Sequence, residues 1–223
     1  MPRQNRVTPG STLIAVPERG TLMGNRGILH DAQGRLTGRR WTTLAWVTCR
    51  LAFKGRRRPV MAPGRYTELF FLDEATALAA GHRPCGECRR ADYRRFKALW
   101  LRASGLPGDT PLQALDRQLH AERKERGAAG ETHRAPLAAL PDGTLLALDD
   151  DREAWLVLGG ALLRWTPAGY RERRPRPAEG MARVLTPPST VRVLAAGYRP
   201  TLHPSAATPA APKGAQLRSA GHG

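Results

Sequence analysis

The sequence predicts an α+β protein, in which an N-terminal α/β module precedes a smaller module that combines a helix with short antiparallel strands. In the first half, runs rich in β-branched and aromatic residues come before segments with helical periodicity. From Thr144 to Trp165 the pattern changes to short apolar runs separated by turn residues. Hydrophobic residues make up 41% of the chain and charged residues 25%, which is typical of a folded domain.

Two strands and two helices are predicted in the N-terminal module. Residues 41–53 and 66–72 carry the β-branched and aromatic residues of strands. Asp73 is a plausible N-cap for a helix over residues 74–80, which Gly81 would end. A second helix is expected over residues 91–104, because its large apolar residues fall on one face and its basic residues lie away from it.

The segment 104–111 is the clearest break in the chain, since it combines Gly, Pro, Ser and Asp. We therefore predict three parts, comprising a module over residues 1–104, a second over 105–203, and a disordered tail over 204–223 that is rich in Ala, Pro and Gly.

The second module has its own predicted elements. A helix is expected over residues 112–126, and short strands over 145–148, 155–158 and 162–165. A last helix is expected over residues 191–196, with an N-cap within Pro187-Pro188-Ser189-Thr190.

One short sequence occurs twice. Leu78-Ala-Ala-Gly-His-Arg-Pro84 recurs as Leu194-Ala-Ala-Gly-Tyr-Arg-Pro200. Both copies are interpreted as a helix end capped by a left-handed glycine, with a proline that prevents the helix from continuing. The second copy has no cysteines after it, so the repeat indicates a shared way of ending a helix rather than shared chemistry.

The charge of the chain favours a polyanionic partner. Lys and Arg number 36 against 19 Asp and Glu, which gives a net charge of +17, and most of the excess lies in the first 110 residues. Nucleic acid, DNA more than RNA, is the predicted partner, because guanidinium groups bind phosphates well. Arginine enrichment through genome composition is the alternative. The predicted nucleic-acid-binding residues are the clustered arginines Arg56, Arg57, Arg58, Arg89, Arg90, Arg94 and Arg95.

The cysteines predict a metal site. There are three, Cys49, Cys85 and Cys88, and an odd number without a signal peptide argues against a disulfide scaffold. Cys85-Gly86-Glu87-Cys88 is a C-x-x-C motif, which can direct two sulfurs at one tetrahedral Zn²⁺. A redox pair uses the same motif ahead of a helix, but no βαβ pattern surrounds it here.

The stretch from Phe70 to Arg89 adds a family resemblance. An aromatic strand leads into an alanine-rich helix, a glycine cap and Arg83-Pro-Cys-Gly-Glu-Cys88-Arg89. This order resembles the metal-binding domain at the N-terminus of the Ada DNA alkylation-repair protein. The resemblance covers about twenty residues and implies two further upstream cysteines, the first of which corresponds to Cys49 and the second to Phe53. It also implies that Cys49 could accept a methyl group from DNA.

Three sulfurs leave one zinc ligand to be found. His30, in a polar glycine-rich loop, is predicted as the fourth ligand; water or a carboxylate is the alternative. His82 is expected to pack at the helix cap instead.

Together these observations predict a cytoplasmic, zinc-containing, DNA-binding protein with a structural metal. No apolar stretch is long enough for a membrane span. Two alternative functions remain open. One is an enzyme acting on DNA, as a methyl acceptor at Cys49 or as a metal-dependent nuclease using His120 and His133. The other is a zinc-supported protein-interaction module.

Overall fold

The computed structural model describes residues 1–55, 59–149 and 153–207. Within these residues the chain forms four α-helices and two six-stranded sheets. The sheets are formed by consecutive parts of the chain, the first by residues 6–84 and the second by residues 133–184. The predicted α+β class is confirmed.

The first sheet is mixed and has the spatial order β2-β1-β5-β3-β4-β6. Its strands β4 and β6 are parallel neighbours, as are β1 and β5, and the other pairs are antiparallel. The strands are β1 (Arg6–Val7), β2 (Leu13–Ile14), β3 (Leu22–Asn25), β4 (Val47–Arg50), β5 (Leu69–Phe71) and β6 (Arg83–Pro84).

The second sheet is antiparallel throughout, with the order β11-β10-β9-β8-β12-β7. The three strands predicted in this region are confirmed as β8, β9 and β10, whereas the other three were not predicted. The strands are β7 (His133–Pro136), β8 (Leu145–Ala147), β9 (Trp155–Leu158), β10 (Ala161–Thr166), β11 (Gly169–Pro175) and β12 (Met181–Val184).

The helices lie close to their predicted positions. They are α1 (Glu74–Ala79), α2 (Arg90–Ser104), α3 (Leu112–Lys124) and α4 (Pro188–Ala195). Asp73 caps α1 as predicted, because its side chain accepts a hydrogen bond from the Thr76 amide. At α4 the N-cap lies within the predicted segment, at Pro187, but the helix begins three residues earlier than predicted. The cap makes no side-chain hydrogen bond, and the Ser189 hydroxyl donates to Glu122 at 2.7 Å.

The buried core joins residues from the first half of the chain to residues from the second half. One cluster packs Leu72, Ala75 and Ala79 against residues of the second sheet. Another packs Phe96 and Trp100 of α2 against side chains of α3 and α4. The predicted division at residue 104 stays a prediction, and these clusters place side chains from both sides of it in contact. Residues Pro204–Ala206 of the predicted tail form a short 3-10 helix, and 208–223 lie outside the described residues.

Two adjacent buried carboxylates, Asp73 and Glu74, lie at the start of α1. Asp73 accepts a hydrogen bond from the Tyr170 hydroxyl on β11 at 2.9 Å and another from the His203 amide at 3.1 Å. The second carboxylate, Glu74, accepts from the Tyr198 hydroxyl at 2.6 Å. This carboxylate pair thus connects α1 to the second sheet and to the segment that follows α4.

Glu74 also forms the ionic part of this network. The Arg89 guanidinium lies 2.6 Å from its Oε1, and the Thr201 amide donates to its Oε2 at 2.9 Å. Burial and the nearby carboxylates raise the pKa of both Tyr170 and Tyr198, so each phenol remains a hydrogen-bond donor.

The repeated heptapeptide forms the same cap twice, as predicted. Gly81 and Gly197 have φ values of 85° and 104°. Each glycine amide donates to the carbonyl three residues earlier, and the next amide donates to the carbonyl five residues earlier. The residues after the glycines, His82 and Tyr198, are both buried.

In the described part of the chain, the longest helix, α2, has 15 residues, and none of the helices combines the length and apolar character needed to span a membrane.

Gly81 and Gly197 end two helices with the same backbone geometry, so substitutions at these glycines test how packing affects such a cap. Gly197→Ala should lower the free energy of unfolding by about 1–2 kcal/mol, since alanine is strained at positive φ and open space surrounds this position. At Gly81 a Cβ would also lie 2.7 Å from Cδ of buried Arg123. Gly81→Ala should therefore cost about 1–3 kcal/mol more. Urea unfolding measures both; an equal or smaller cost at Gly81 would contradict the packing argument.

Candidate metal centre

The three cysteines come together because of how β4 and β6 pair. Cys49 lies on β4, and Thr48 beside it is paired with Pro84 of parallel β6. The Cys85 amide continues this pairing by donating to the Thr48 carbonyl at 2.9 Å. Cys49 and Cys85, which are 36 positions apart in sequence, therefore become neighbours, and the turn after β6 adds Cys88.

The cluster has the dimensions of a metal site. The Sγ atoms of Cys49, Cys85 and Cys88 all lie within 4.8 Å of one another. Zn–S bonds of about 2.3 Å in a tetrahedron place sulfurs ~3.8 Å apart, so the three sulfurs would need at most a small contraction to bind the ion. Cys88 is buried, whereas the other two are partly accessible. These residues can hold a metal ion.

Hydrogen bonds concentrate negative charge on one sulfur. The pKa of Cys85 is lowered to about 5, mainly because the Cys49 thiol donates to it and secondarily because the amides of Cys88 and Glu87 do so. The Glu87 amide lies 3.4 Å from this sulfur. Conversely, the pKa of Cys49 is raised by its hydrogen bond to Cys85 and by burial, and burial raises that of Cys88. The Cys49 thiol and the amides of the turn thus stabilise the thiolate form of Cys85, which is the form that binds metals.

The cysteines border a pocket of about 510 Å³, which we call the cysteine pocket. Part of its wall is apolar and aromatic, with Phe53, Tyr66 and Phe70 among the residues that line it. Phe53, the residue at the position that the family resemblance assigns to a second cysteine, thus contributes an aromatic ring to this wall. Charged residues of both signs also border the pocket, including Arg50 and Glu87. An exogenous ligand has space to approach the sulfurs.

The structure does not bring His30, the predicted fourth ligand, into this cluster. Its Nδ1 is 2.6 Å from the Thr67 hydroxyl, and its Nε2 is 3.2 Å from the Ala62 carbonyl oxygen. Both ring nitrogens are thus engaged by the segment at residues 62–67, which leads into β5. His82 also has a packing role, as expected, because its ring lies between Trp46 and Phe71 and accepts a hydrogen bond from Arg26.

The predicted nucleic-acid-binding arginines divide into three groups. Arg56, Arg57 and Arg58 lie outside the described residues. Arg89 is only 4% exposed and is therefore not part of the surface. It pairs with Glu74 and Asp92, and it donates to the Thr48 hydroxyl at 2.9 Å. Its role is to connect α1, β4 and α2.

The other three predicted arginines are exposed on α2. Arg90, Arg94 and Arg95 occupy the first two turns of the helix, immediately after the C-x-x-C turn. Arg95 donates to the Gly197 carbonyl at 2.8 Å, so part of its donor capacity is used within the protein. We call these three residues the α2 basic face.

The histidines of the nuclease alternative do not form a metal site with each other. Among the described residues, the cysteines form the only group of three or more ligating side chains close enough to hold an ion. His120 packs edge-on against Trp41, and His133 lies on β7 beside the Thr132 hydroxyl. Burial is the main cause that lowers the pKa of each of these histidines.

Comparison with known proteins does not identify the chain. No protein-family model matches it, and neither curated proteins nor solved structures contain a significant match. The resemblance to the Ada metal-binding domain, and with it methyl transfer to Cys49, stays a prediction.

Replacing Arg89 should destabilise the region around the cysteines. Arg89→Ala would leave the buried Glu74 carboxylate without its cation, which should lower the free energy of unfolding by about 3–5 kcal/mol. Its neighbour Arg90 is exposed, so Arg90→Ala is the matched control and should change stability by less than about 0.5 kcal/mol. Denaturant unfolding followed by circular dichroism compares them. Similar stabilities for the two variants would show that the buried pair is dispensable.

Proposed function

We propose that this protein binds Zn²⁺ through Cys49, Cys85 and Cys88, that the metal has a structural role, and that the α2 basic face binds nucleic acid. The observation that carries the proposal is the convergence of three sulfurs within 4.8 Å. A metal bound there would link β4, the turn after β6 and the beginning of α2.

Zinc is the metal that best suits these ligands. Thiolates favour Zn²⁺ among the common divalent ions, and a C-x-x-C turn with amide donors to sulfur is typical of tetrahedral zinc sites. Among the described residues, no histidine or carboxylate joins the three sulfurs, which favours water or a ligand from the cysteine pocket as the fourth donor. Metal binding would then contribute directly to folding.

The nucleic-acid part of the proposal rests on charge and position. The chain carries a net charge of +17, and the α2 basic face is exposed next to the cysteine turn. Arginines in this arrangement bind phosphates mainly by releasing counterions, so the affinity should fall steeply with salt. DNA remains the favoured nucleic acid.

Metal content tests the first part of the proposal. Protein purified under reducing conditions should contain about one equivalent of zinc, and chelation should lower its melting temperature. Cys88→Ser should lose the metal. Glu87→Gln, in the same turn, is the matched control and should retain it, since its carboxylate is not part of the cluster. Failure to take up zinc on reconstitution, or melting that is unchanged by chelation, would contradict a structural zinc.

A salt titration with duplex DNA tests the second part. Arg90→Ala/Arg94→Ala should weaken binding and reduce the slope of log affinity against log salt by up to about 2, since two phosphate contacts would be lost. The matched control, Arg171→Ala/Arg173→Ala, removes two exposed charges from β11. Equal effects of the two double variants would contradict the assigned face. Absence of binding at low salt would instead favour a protein-interaction module.

A further inference from the structure

A second pocket, separate from the cysteines, is lined by arginine. It has a volume of about 450 Å³ and lies among loop residues within 10–13, 36–40 and 126–130. Among the described residues that line it there is no Asp or Glu. Its four charged residues are Arg26, Arg39, Arg40 and Arg126, and we call it the arginine pocket.

The buried member of this group, Arg26, is not neutralised. It is 3% exposed, and in the described part of the chain no carboxylate forms an ion pair with it. Its Nε donates to His82, its Nη1 donates to the Ser11 carbonyl at 3.1 Å, and its Nη2 has no hydrogen-bond partner there. Guanidinium stays protonated in proteins, so a full positive charge is held inside the fold.

Stacking explains how this side chain is positioned but does not balance its charge. The guanidinium carbons of Arg26 and Arg123 each lie 4.2 Å from the centre of the Trp46 ring. Cation–π contacts are attractive, but they add no negative charge. Arg123 in fact adds a second cation. Burial is the main cause that lowers the pKa of Arg26, and repulsion from Arg126 and Arg123 acts in the same direction.

Arg126 is held in a similar way. It donates to the carbonyl oxygens of Gly130, Leu185 and Ala79, while its Nε has no partner among the described residues. Carbonyl dipoles orient this guanidinium without neutralising it. Burial is the main cause that lowers its pKa, to about 10, and repulsion from Arg40 acts in the same direction.

The two remaining arginines, Arg39 and Arg40, are exposed. Neither makes a side-chain hydrogen bond or ion pair within the described part of the chain, so their donors are available to a ligand. The loop at residues 126–130 approaches the loop at residues 10–13 closely, because a Cβ on Gly130 would lie 2.5 Å from the Gly10 Cα. Glycine thus allows the two backbones to form one wall of the pocket.

We propose that the arginine pocket binds the phosphoryl group of a small phosphorylated molecule. A phosphomonoester carries about two negative charges at neutral pH, and its oxygens suit the planar donor fork of arginine. Arg39 and Arg40 would contact it directly, and the positive charges of buried Arg26 and partly buried Arg126 would attract it. A pocket of this volume accommodates a ligand larger than inorganic phosphate, since small-molecule sites run from about 300 to 1,000 Å³.

The test uses the full chain in a phosphate-free buffer, with isothermal titration calorimetry as the readout. The probes are inorganic phosphate, a nucleoside 5′-monophosphate, and a short oligodeoxynucleotide without terminal phosphates, which offers only phosphodiesters. Arg39→Ala/Arg40→Ala removes the direct donors. Arg117→Ala/Lys124→Ala is the matched control, because it removes two exposed charges from α3, outside the pocket lining.

The expected result is saturable binding of the monophosphate at about one per chain, weakened at least ~10-fold in the pocket variant and unchanged in the control. Inorganic phosphate should compete with it. Absence of monophosphate binding would overturn the proposal, as would equal weakening in both variants. Binding of the oligodeoxynucleotide but not of the monophosphate would also overturn it, because the arginines would then bind the backbone of a nucleic acid. None of these outcomes depends on zinc or on the α2 basic face.

Discussion

The buried carboxylate pair at the start of α1 is the interaction on which the rest of the structure depends. Asp73 and Glu74 could not be buried as ions without partners, because desolvation of an unpaired carboxylate costs several kcal/mol. Their partners come from α2, from β11 and from the segment after α4. Each of these elements must be in place for the two charges to be satisfied, so the pair couples the first sheet, the second sheet and the helices.

The same electrostatic argument separates two kinds of arginine in this basic chain. Arg83 and Arg89 are buried, but each has a carboxylate within 3 Å, at Asp116 and Glu74 respectively. Such pairs have a structural role. Arg26 is equally buried, but it contacts an aromatic ring, a histidine and a carbonyl, and it has no carboxylate partner among the described residues. A high net charge therefore does not by itself indicate binding; the unbalanced burial of particular guanidiniums is the more specific sign.

Local sequence signals predicted the elements that depend on local chemistry. The cap at Asp73, the left-handed glycines at 81 and 197, and the C-x-x-C turn all follow from a few neighbouring residues, and the structure contains each of them. The strand at Gly169–Pro175 was missed, because its charged residues obscured the alternation of buried and exposed positions.

The differences between the expected and the observed surroundings of the candidate site residues have another cause. Arg89 looked like a surface residue because its partner Glu74 is fifteen positions away, and no periodicity relates the two. His30 was a plausible ligand by distance along the chain, yet its ring forms a hydrogen bond with the Thr67 hydroxyl, outside the cysteine cluster. The arginine pocket was not predicted either, since its residues come from separated loops that only the tertiary fold brings together.

The hydrogen bond from the Thr201 amide to Glu74 also has a consequence for folding during synthesis, because it can form only after Thr201 has been translated. These residues are 127 positions apart, so a ribosome adding about 5–20 residues per second needs on the order of 10 s to make the second after the first. Throughout that interval the nascent chain contains α1 without Tyr170, Tyr198 or Thr201. The carboxylate pair at the start of α1 therefore acquires its full set of partners only after residues as distant as Thr201 have been translated.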